Sequence, residues 1–122
     1  MKTRHTLAAL ACASVCVLVP CACSTRRPPP PGASGDVIYE LQNCANCHGP
    51  AREGTRLAPP LAGLASHWTR AALAEYLADP RAAVARDARL KELDKAWSSD
   101  MGSYANLAPA ERLVLADWLL AR

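Results

Sequence analysis

The sequence predicts a small all-α domain of about four helices. Ala and Leu dominate its composition and β-branched residues are few, which favours helix over sheet. No segment shows the alternation of apolar and polar residues that is typical of a strand. With 122 residues, 5% aromatic residues and no Phe, the chain has room for one domain with a thin core. Such a domain usually needs a disulfide, a metal or a bound cofactor for its stability.

Residues 1–22 are predicted to be a signal peptide. A short basic stretch is followed at 7–19 by an apolar stretch that is short for a membrane span, although a membrane anchor is the alternative. The residues before Cys23 match the cleavage site of bacterial lipoproteins only in part, because Ala22 is in place but the usual leucine is missing. Cys23 is therefore the candidate site of a lipid anchor. We expect the protein in the periplasm or on the extracytoplasmic face of the membrane.

Residues 23–34 are predicted to be a Pro-rich tether. The four prolines at 28–31 favour an extended, semi-rigid chain. Arg26 and Arg27 precede them and are expected to lie in solvent. Without the signal peptide's two cations the chain holds 12 basic and 11 acidic residues and no basic tract, so nucleic acid is not expected as a partner.

The domain itself is expected to cover residues 35–122. Asp36 is placed to cap the first helix, and Pro109 is a favoured first residue for the last one. Gly and Pro residues predict a loop over 48–66. The predicted helices cover about 36–45, 69–78, 81–96 and 109–121.

The sequence CANCH at 44–48 carries the candidate chemistry. C-x-x-C-H is the haem-attachment signature, in which two thiols form thioethers with the haem and the histidine binds the iron. We therefore predict one covalent haem c per chain, attached through Cys44 and Cys47, with His48 as an axial ligand. A redox dithiol would need a βαβ scaffold and a zinc site would need four ligands, for which His67 and carboxylates are the spare donors. Both remain as alternatives.

A second axial ligand to the iron is expected to be Met101. Methionine is a common ligand in electron-transfer haem proteins, and Met101 is the only methionine besides Met1. It lies in a turn before the last helix. His67 is the alternative ligand.

With these motifs the chain resembles the class I c-type cytochromes over residues 35–122. APPLAGL at 58–64 is similar to the family's P-x-L-x-G segment, and YLADP at 76–80 to the helix end before its distal loop. MGSYANLAPAERLVLADWLL at 101–120 is similar to the family's distal methionine, turn and C-terminal helix. The resemblance implies the small cytochrome c fold, in which the N- and C-terminal helices cross around one haem.

The resemblance also implies roles for particular residues. The Pro59 carbonyl would accept a hydrogen bond from the His48 ring, and Leu61 would pack on the haem face. Trp118 would contact the first helix at Val37, Ile38 or Tyr39.

The chain departs from the family pattern in three ways. The first helix is one residue longer than the common spacing before Cys44, which leaves open whether Tyr39 or Glu40 faces the last helix. Gly102 follows Met101 where proline is common, so the loop loses a rigid residue. Ala108 stands where Ser or Thr usually caps the last helix, a loss of about 1 kcal/mol.

The implied function is one-electron transfer without catalysis. The expected partners are redox proteins: a donor dehydrogenase and an acceptor oxidase or another cytochrome. Arg52 and Arg56 are loop charges that could meet an acidic partner, although solvated charges of this kind usually contribute little. The alternatives are a haem subunit of an exported dehydrogenase or oxidase complex, or a five-coordinate haem sensor or peroxidase-like protein if Met101 is not a ligand.

Overall fold

The computed structural model describes residues 26–121, which form six α-helices and no strand. The signal peptide and Cys23 lie outside the described residues. The prediction of a small all-α fold is confirmed, with the predicted helix over 81–96 divided in two and one additional short helix at 45–48. None of the described helices has the length and apolar character needed to cross a membrane. The helices are α1 Gly35–Leu41, α2 Ala45–His48, α3 Arg70–Ala78, α4 Pro80–Arg86, α5 Ala88–Ala96 and α6 Pro109–Leu120, with a short 3-10 helix, Leu64–Ser66, before α3.

The first helix ends at Leu41, before the predicted end at 45, and a turn separates it from the short helix α2, which was not predicted. Asn43 in this turn has a φ of 59°, the left-handed region that asparagine tolerates better than most residues. The predicted cap of α1 is wrong, because Ser34 is the N-cap residue and Asp36 lies within the first turn. The Ser34 hydroxyl donates a hydrogen bond to the Asp36 carboxylate. The carboxylate still faces the positive end of the helix dipole.

The predicted helix over 81–96 divides at Asp87. Its backbone is extended, and its carboxylate accepts hydrogen bonds from the N–H groups of Arg89 (2.8 Å) and Leu90 (3.2 Å). Asp79 caps α4 in the same way through the N–H of Ala82 (3.0 Å). Each aspartate satisfies backbone donors that a new helix leaves unpaired, and therefore starts one.

Helix α6 packs against both α1 and α3, and these contacts form the core. Gly35 allows the close approach of α1, because a Cβ atom at this position would lie 2.2 Å from the Cβ of Trp118. The Trp118 ring packs on Tyr39 with 5.2 Å between the ring centroids. The expected contact of Trp118 with the first helix is thus made at Tyr39.

The start of α6 lacks a side-chain cap, as the alanine at 108 predicts. Ala108 has no acceptor for the unpaired N–H groups of the first turn. Glu111 supplies half of a capping box, since its carboxylate accepts the N–H of Ala108 at 2.7 Å.

The described part of the predicted tether contacts the domain. The N–H of Ala33 donates to the carbonyl of Pro30 (3.1 Å), which forms a turn, and Pro29 is buried. Arg26 was expected in solvent, but it is half-buried with its guanidinium 4.3 Å from the ring centroid of Tyr104. An aromatic face attracts a cation, and the sequence alone did not show that Tyr104 would be within reach.

Candidate cofactor site

Helix α2 brings the two thiols and the imidazole of the motif into one turn. Cys44 is its N-cap residue, and the N–H of His48 donates to the carbonyl of Cys44 at 2.9 Å. Cys44 is buried, whereas Cys47 and His48 are half-buried. Both cysteines are unpaired thiols. Two thiols and one imidazole therefore line one wall of the same cavity.

The imidazole of His48 is oriented by a backbone carbonyl. Its Nδ1 lies 2.8 Å from the carbonyl oxygen of Pro59, the pairing that the resemblance implies. A carbonyl oxygen only accepts, so Nδ1 carries the proton and the neutral ring keeps a lone pair on Nε2. Burial lowers the pKa of His48, and the bond to Pro59 opposes this in part. Burial thus favours the neutral form that binds a metal.

Three hydrogen bonds fold the loop after α2 back over the motif. The N–H of Gly54 donates to the carbonyl of His48 at 2.8 Å, and the Thr55 hydroxyl donates to the carbonyl of Cys47 at 2.6 Å. The Tyr39 hydroxyl donates to the carbonyl of Gly49 at 2.7 Å. This loop brings Pro59 to the imidazole.

Arg52 does not have the role of a solvated loop charge. It is 5% exposed, and its guanidinium donates to the Trp118 carbonyl at 2.8 Å. The guanidinium also stacks 4.0 Å from the centroid of the Trp118 ring. The expectation that Arg52 is solvated is therefore wrong, whereas Arg56 is exposed as expected. A tryptophan 66 residues downstream gave no local signal of this contact.

A large cleft lies between α2 and the loop over residues 97–108, which we call the Met101 loop. It consists of a cavity of about 480 Å³ and a second of about 240 Å³, which have part of their lining in common. Leu61 lines the second cavity, as does the alternative ligand His67, which is exposed. Met101 lines both and packs against the core. The lining residues common to both cavities are Cys44, His48, Pro59, Tyr76, Leu90, Leu93 and Met101.

The residues of this cleft fit a haem. The thiols can form the thioethers, His48 and Met101 offer a nitrogen and a sulfur donor, and the remaining walls are mainly apolar. Haem carboxylates need cationic partners, and Arg26 lines the larger cavity while Arg89 lines the smaller one.

The two alternative chemistries find less support. Within residues 26–121 no three His, Cys, Asp or Glu side chains are grouped so that they could hold a metal ion. Burial raises the pKa of the Cys44 thiol, whereas a catalytic dithiol needs a lowered pKa. The described residues also contain no strand for a βαβ scaffold.

Several lining residues were not predicted as site residues from the sequence. Tyr104 lies with its hydroxyl 3.9 Å from the sulfur of Cys44. Leu90 and Leu93 line both cavities. Their spacing of three residues marked an apolar helix face, but a face of this kind is more often part of a core than of a cofactor site.

Comparison with known proteins agrees with the geometry. A family model described as Cytochrome c matches residues 32–122. No curated protein and no solved structure matched the chain. The family match covers most of the chain, including α2, the Pro59 loop and Met101. The chain therefore belongs to the cytochrome c family, whose domain binds haem c with its iron and transfers electrons.

Proposed function

We propose that this protein is an extracytoplasmic one-electron carrier with one covalent haem c ligated by His48 and Met101. The observation that carries the proposal is the bond between Nδ1 of His48 and Pro59, because it leaves Nε2 for the iron. The haem supplies the one-electron change of its iron when it is bound. The chain attaches it through Cys44 and Cys47.

Each side chain of the cleft has a separate task. The Pro59 carbonyl fixes the tautomer and orientation of His48, as outer partners of metal-binding histidines do. Leu61, Leu90 and Leu93 keep water from the haem. The Met101 thioether favours the ferrous state compared with a second imidazole. Because His48 and Met101 would both hold the iron, no position would remain for a substrate, and the protein would transfer electrons without catalysing a reaction.

The proposed place of work is outside the cytoplasm. The N-terminal sequence supports a signal peptide, and Cys23 is the candidate for a lipid anchor. The partners would then be redox proteins of that compartment, a donor dehydrogenase and an acceptor oxidase or another cytochrome. A haem subunit of a dehydrogenase or oxidase complex has the same chemistry and would co-purify with that complex.

The test of the ligation is optical spectroscopy of the mature protein made in a host with haem-maturation machinery. We expect the ferric wild type to show the weak near-infrared band of a Met–iron bond and the ferrous form not to bind CO. Met101→Ala should lose the band and bind CO, whereas His67→Ala should keep the band. A wild type that is high-spin or binds CO readily would contradict the proposal and favour a five-coordinate sensor or peroxidase-like protein.

A further inference from the structure

Arg26 contacts the chain that directly follows Met101. Its Nη1 donates a hydrogen bond to the carbonyl of Ser103 at 2.6 Å, and its guanidinium stacks on Tyr104. Gly102 faces the same guanidinium, because a Cβ at this glycine would lie 3.0 Å from Nη2. One cation from the segment before the domain thus contacts three successive residues of the Met101 loop.

Besides Arg26, the Ser103 hydroxyl holds the Met101 loop near Met101 by donating to the carbonyl of Ala78 at 2.6 Å. Residues 97–108 contain no helix, and glycine follows Met101, so the backbone there is intrinsically permissive. On the N-terminal side, Asp100 pairs with Arg81 at 3.0 Å, but both side chains are largely exposed and such pairs contribute little. On the C-terminal side, the N–H of Tyr104 donates to the carbonyl of Leu77 at 2.9 Å. Arg26 therefore contacts the same stretch, residues 102–104, that these bonds join to the end of α3.

The segment that carries Arg26 is itself held by a buried side chain. We call residues 26–30 the strap. The side-chain amide of Gln42, 1% exposed, donates to the carbonyl of Arg27 at 3.0 Å. Gln42 in turn accepts a hydrogen bond at 3.0 Å from the side chain of Asn106, which belongs to the Met101 loop. A buried amide with both ends paired is costly to disturb, so the strap and the loop are joined at two points.

We propose that the strap holds the Met101 loop in position for ligation, with Arg26 as the positioning residue. This inference rests on the proposed ligation of the iron by Met101. The strap restrains a loop in which a flexible glycine follows Met101. Loss of the Arg26 contacts leaves Met101 in place but easier to displace from the iron.

The geometry requires arginine and not merely a positive charge. The guanidinium is planar, so it donates to Ser103 while its face lies on the Tyr104 ring. The lysine ammonium is a compact, strongly hydrated charge that does not make both contacts in this way. Arg26 is also the only Lys or Arg among the described residues that line the larger cavity.

Competition with imidazole tests the proposal on the ferric holoprotein. We compare the wild type with Arg26→Ala, Arg26→Lys and Arg27→Ala, and follow loss of the near-infrared Met–iron band as imidazole is added. Arg27 is the matched control, since its side chain is exposed and the strap uses only its carbonyl. We expect Arg26→Ala to bind imidazole about tenfold more tightly, as for loss of one hydrogen bond to a charged group. Arg26→Lys should resemble Arg26→Ala, and Arg27→Ala should resemble the wild type.

Other outcomes overturn the inference in distinguishable ways. A band in all four proteins with equal imidazole affinities removes the positioning role and leaves the ligation intact. If Arg26→Lys binds imidazole like the wild type while Arg26→Ala binds it more tightly, the effect arises from charge and not from position. Absence of the band in the wild type shows that the ligation by Met101 is wrong, and with it this inference.

Discussion

The guanidinium of Arg52 lies 4.0 Å from the centroid of the Trp118 ring and donates to the Trp118 carbonyl at 2.8 Å. This pair joins the loop after the haem-attachment motif to the last helix. The carbonyl of Arg52 also accepts the N–H of Leu61 at 2.9 Å, two residues beyond the proline that orients His48. The contacts that support the His48 imidazole thus extend to the packing of the first helix on the last one.

Replacement of Arg52 should destabilise the protein, although a charged residue in a loop usually contributes little to stability. We expect Arg52→Ala to lower the free energy of unfolding by about 2 kcal/mol, since a buried charged hydrogen bond and a stacked ring are both lost. Arg52→Lys should recover only part of this loss. Arg56→Ala is the matched control and should stay within about 0.5 kcal/mol of the wild type. Urea denaturation of the four holoproteins measures the difference, and equal effects at the two arginines would contradict this role of Arg52.

Gly35 should not tolerate even one additional carbon atom. In Gly35→Ala the new Cβ would lie 2.2 Å from Trp118, so α1 and α6 must move apart. We expect a loss of about 2 to 3 kcal/mol in the free energy of unfolding, the usual cost of overpacking a core. Glu40→Ala, at an exposed position of the same helix, should change stability by less than about 0.5 kcal/mol. Thermal unfolding of both variants provides the comparison, and a stable Gly35→Ala would mean that the helices do not approach this closely.

Ionisation of the Tyr39 hydroxyl should lower the stability of the protein at alkaline pH. Burial raises the pKa of Tyr39 to about 12 from its ordinary value of 10.0. The folded state therefore holds this proton more tightly than the unfolded state. The contribution of the protonated Tyr39 hydroxyl to the free energy of unfolding is complete below about pH 10 and is lost as the pH rises through about 12. Tyr39→Phe loses the hydrogen bond to Gly49, and we expect it to be less stable at neutral pH by about 1 kcal/mol.

The difference between wild type and Tyr39→Phe should shrink as the pH rises above about 10. Urea denaturation at several pH values measures it. The pKa of Tyr104 is raised in both proteins, so its titration cancels in the comparison. A difference that stays constant up to about pH 12 would show that the Tyr39 hydroxyl is not buried.

The sequence was sufficient for the parts of the fold that depend on local signals. Pro109 marked the start of the last helix, and the absence of alternating segments indicated an all-α fold. The C-x-x-C-H signature identified the residues that α2 now brings into one turn. By contrast, Arg26 and Arg52 were misjudged because their partners, Tyr104 and Trp118, are distant in the sequence. A charged residue in a loop is usually solvated, and only tertiary structure shows when an aromatic ring covers it.

Helix caps were only partly predictable, for a related reason. Any acidic or hydroxyl residue near a helix start is a candidate cap, and the backbone conformation decides which one is used. Asp36 was expected to cap the first helix but lies within its first turn, two residues after the N-cap, whereas the capping role of Asp87 was not anticipated.

The helix caps predict that substitutions at Asp87 and at Ala108 change the stability of the protein in opposite directions. Asp87→Ala removes the acceptor for two N–H groups of α5 and should cost about 1 kcal/mol, whereas Asp87→Asn should retain most of the stability. Ala108→Ser supplies a missing acceptor at the start of α6 and should add up to about 1 kcal/mol. Thermal unfolding of the holoprotein measures both changes. A neutral Asp87→Ala would show that α5 does not depend on this cap.

The central claim is that Cys44 and Cys47 bind the haem covalently, and the mass of the denatured mature protein tests it most directly. The protein should be made in a host with haem-maturation machinery and measured beside the double variant Cys44→Ser, Cys47→Ser. The wild type is predicted to carry the mass of one haem after acid and acetone treatment, and the double variant is predicted to lose it. A wild type whose haem is extracted by acid and acetone, and whose mass is that of the polypeptide alone, would contradict the covalent attachment.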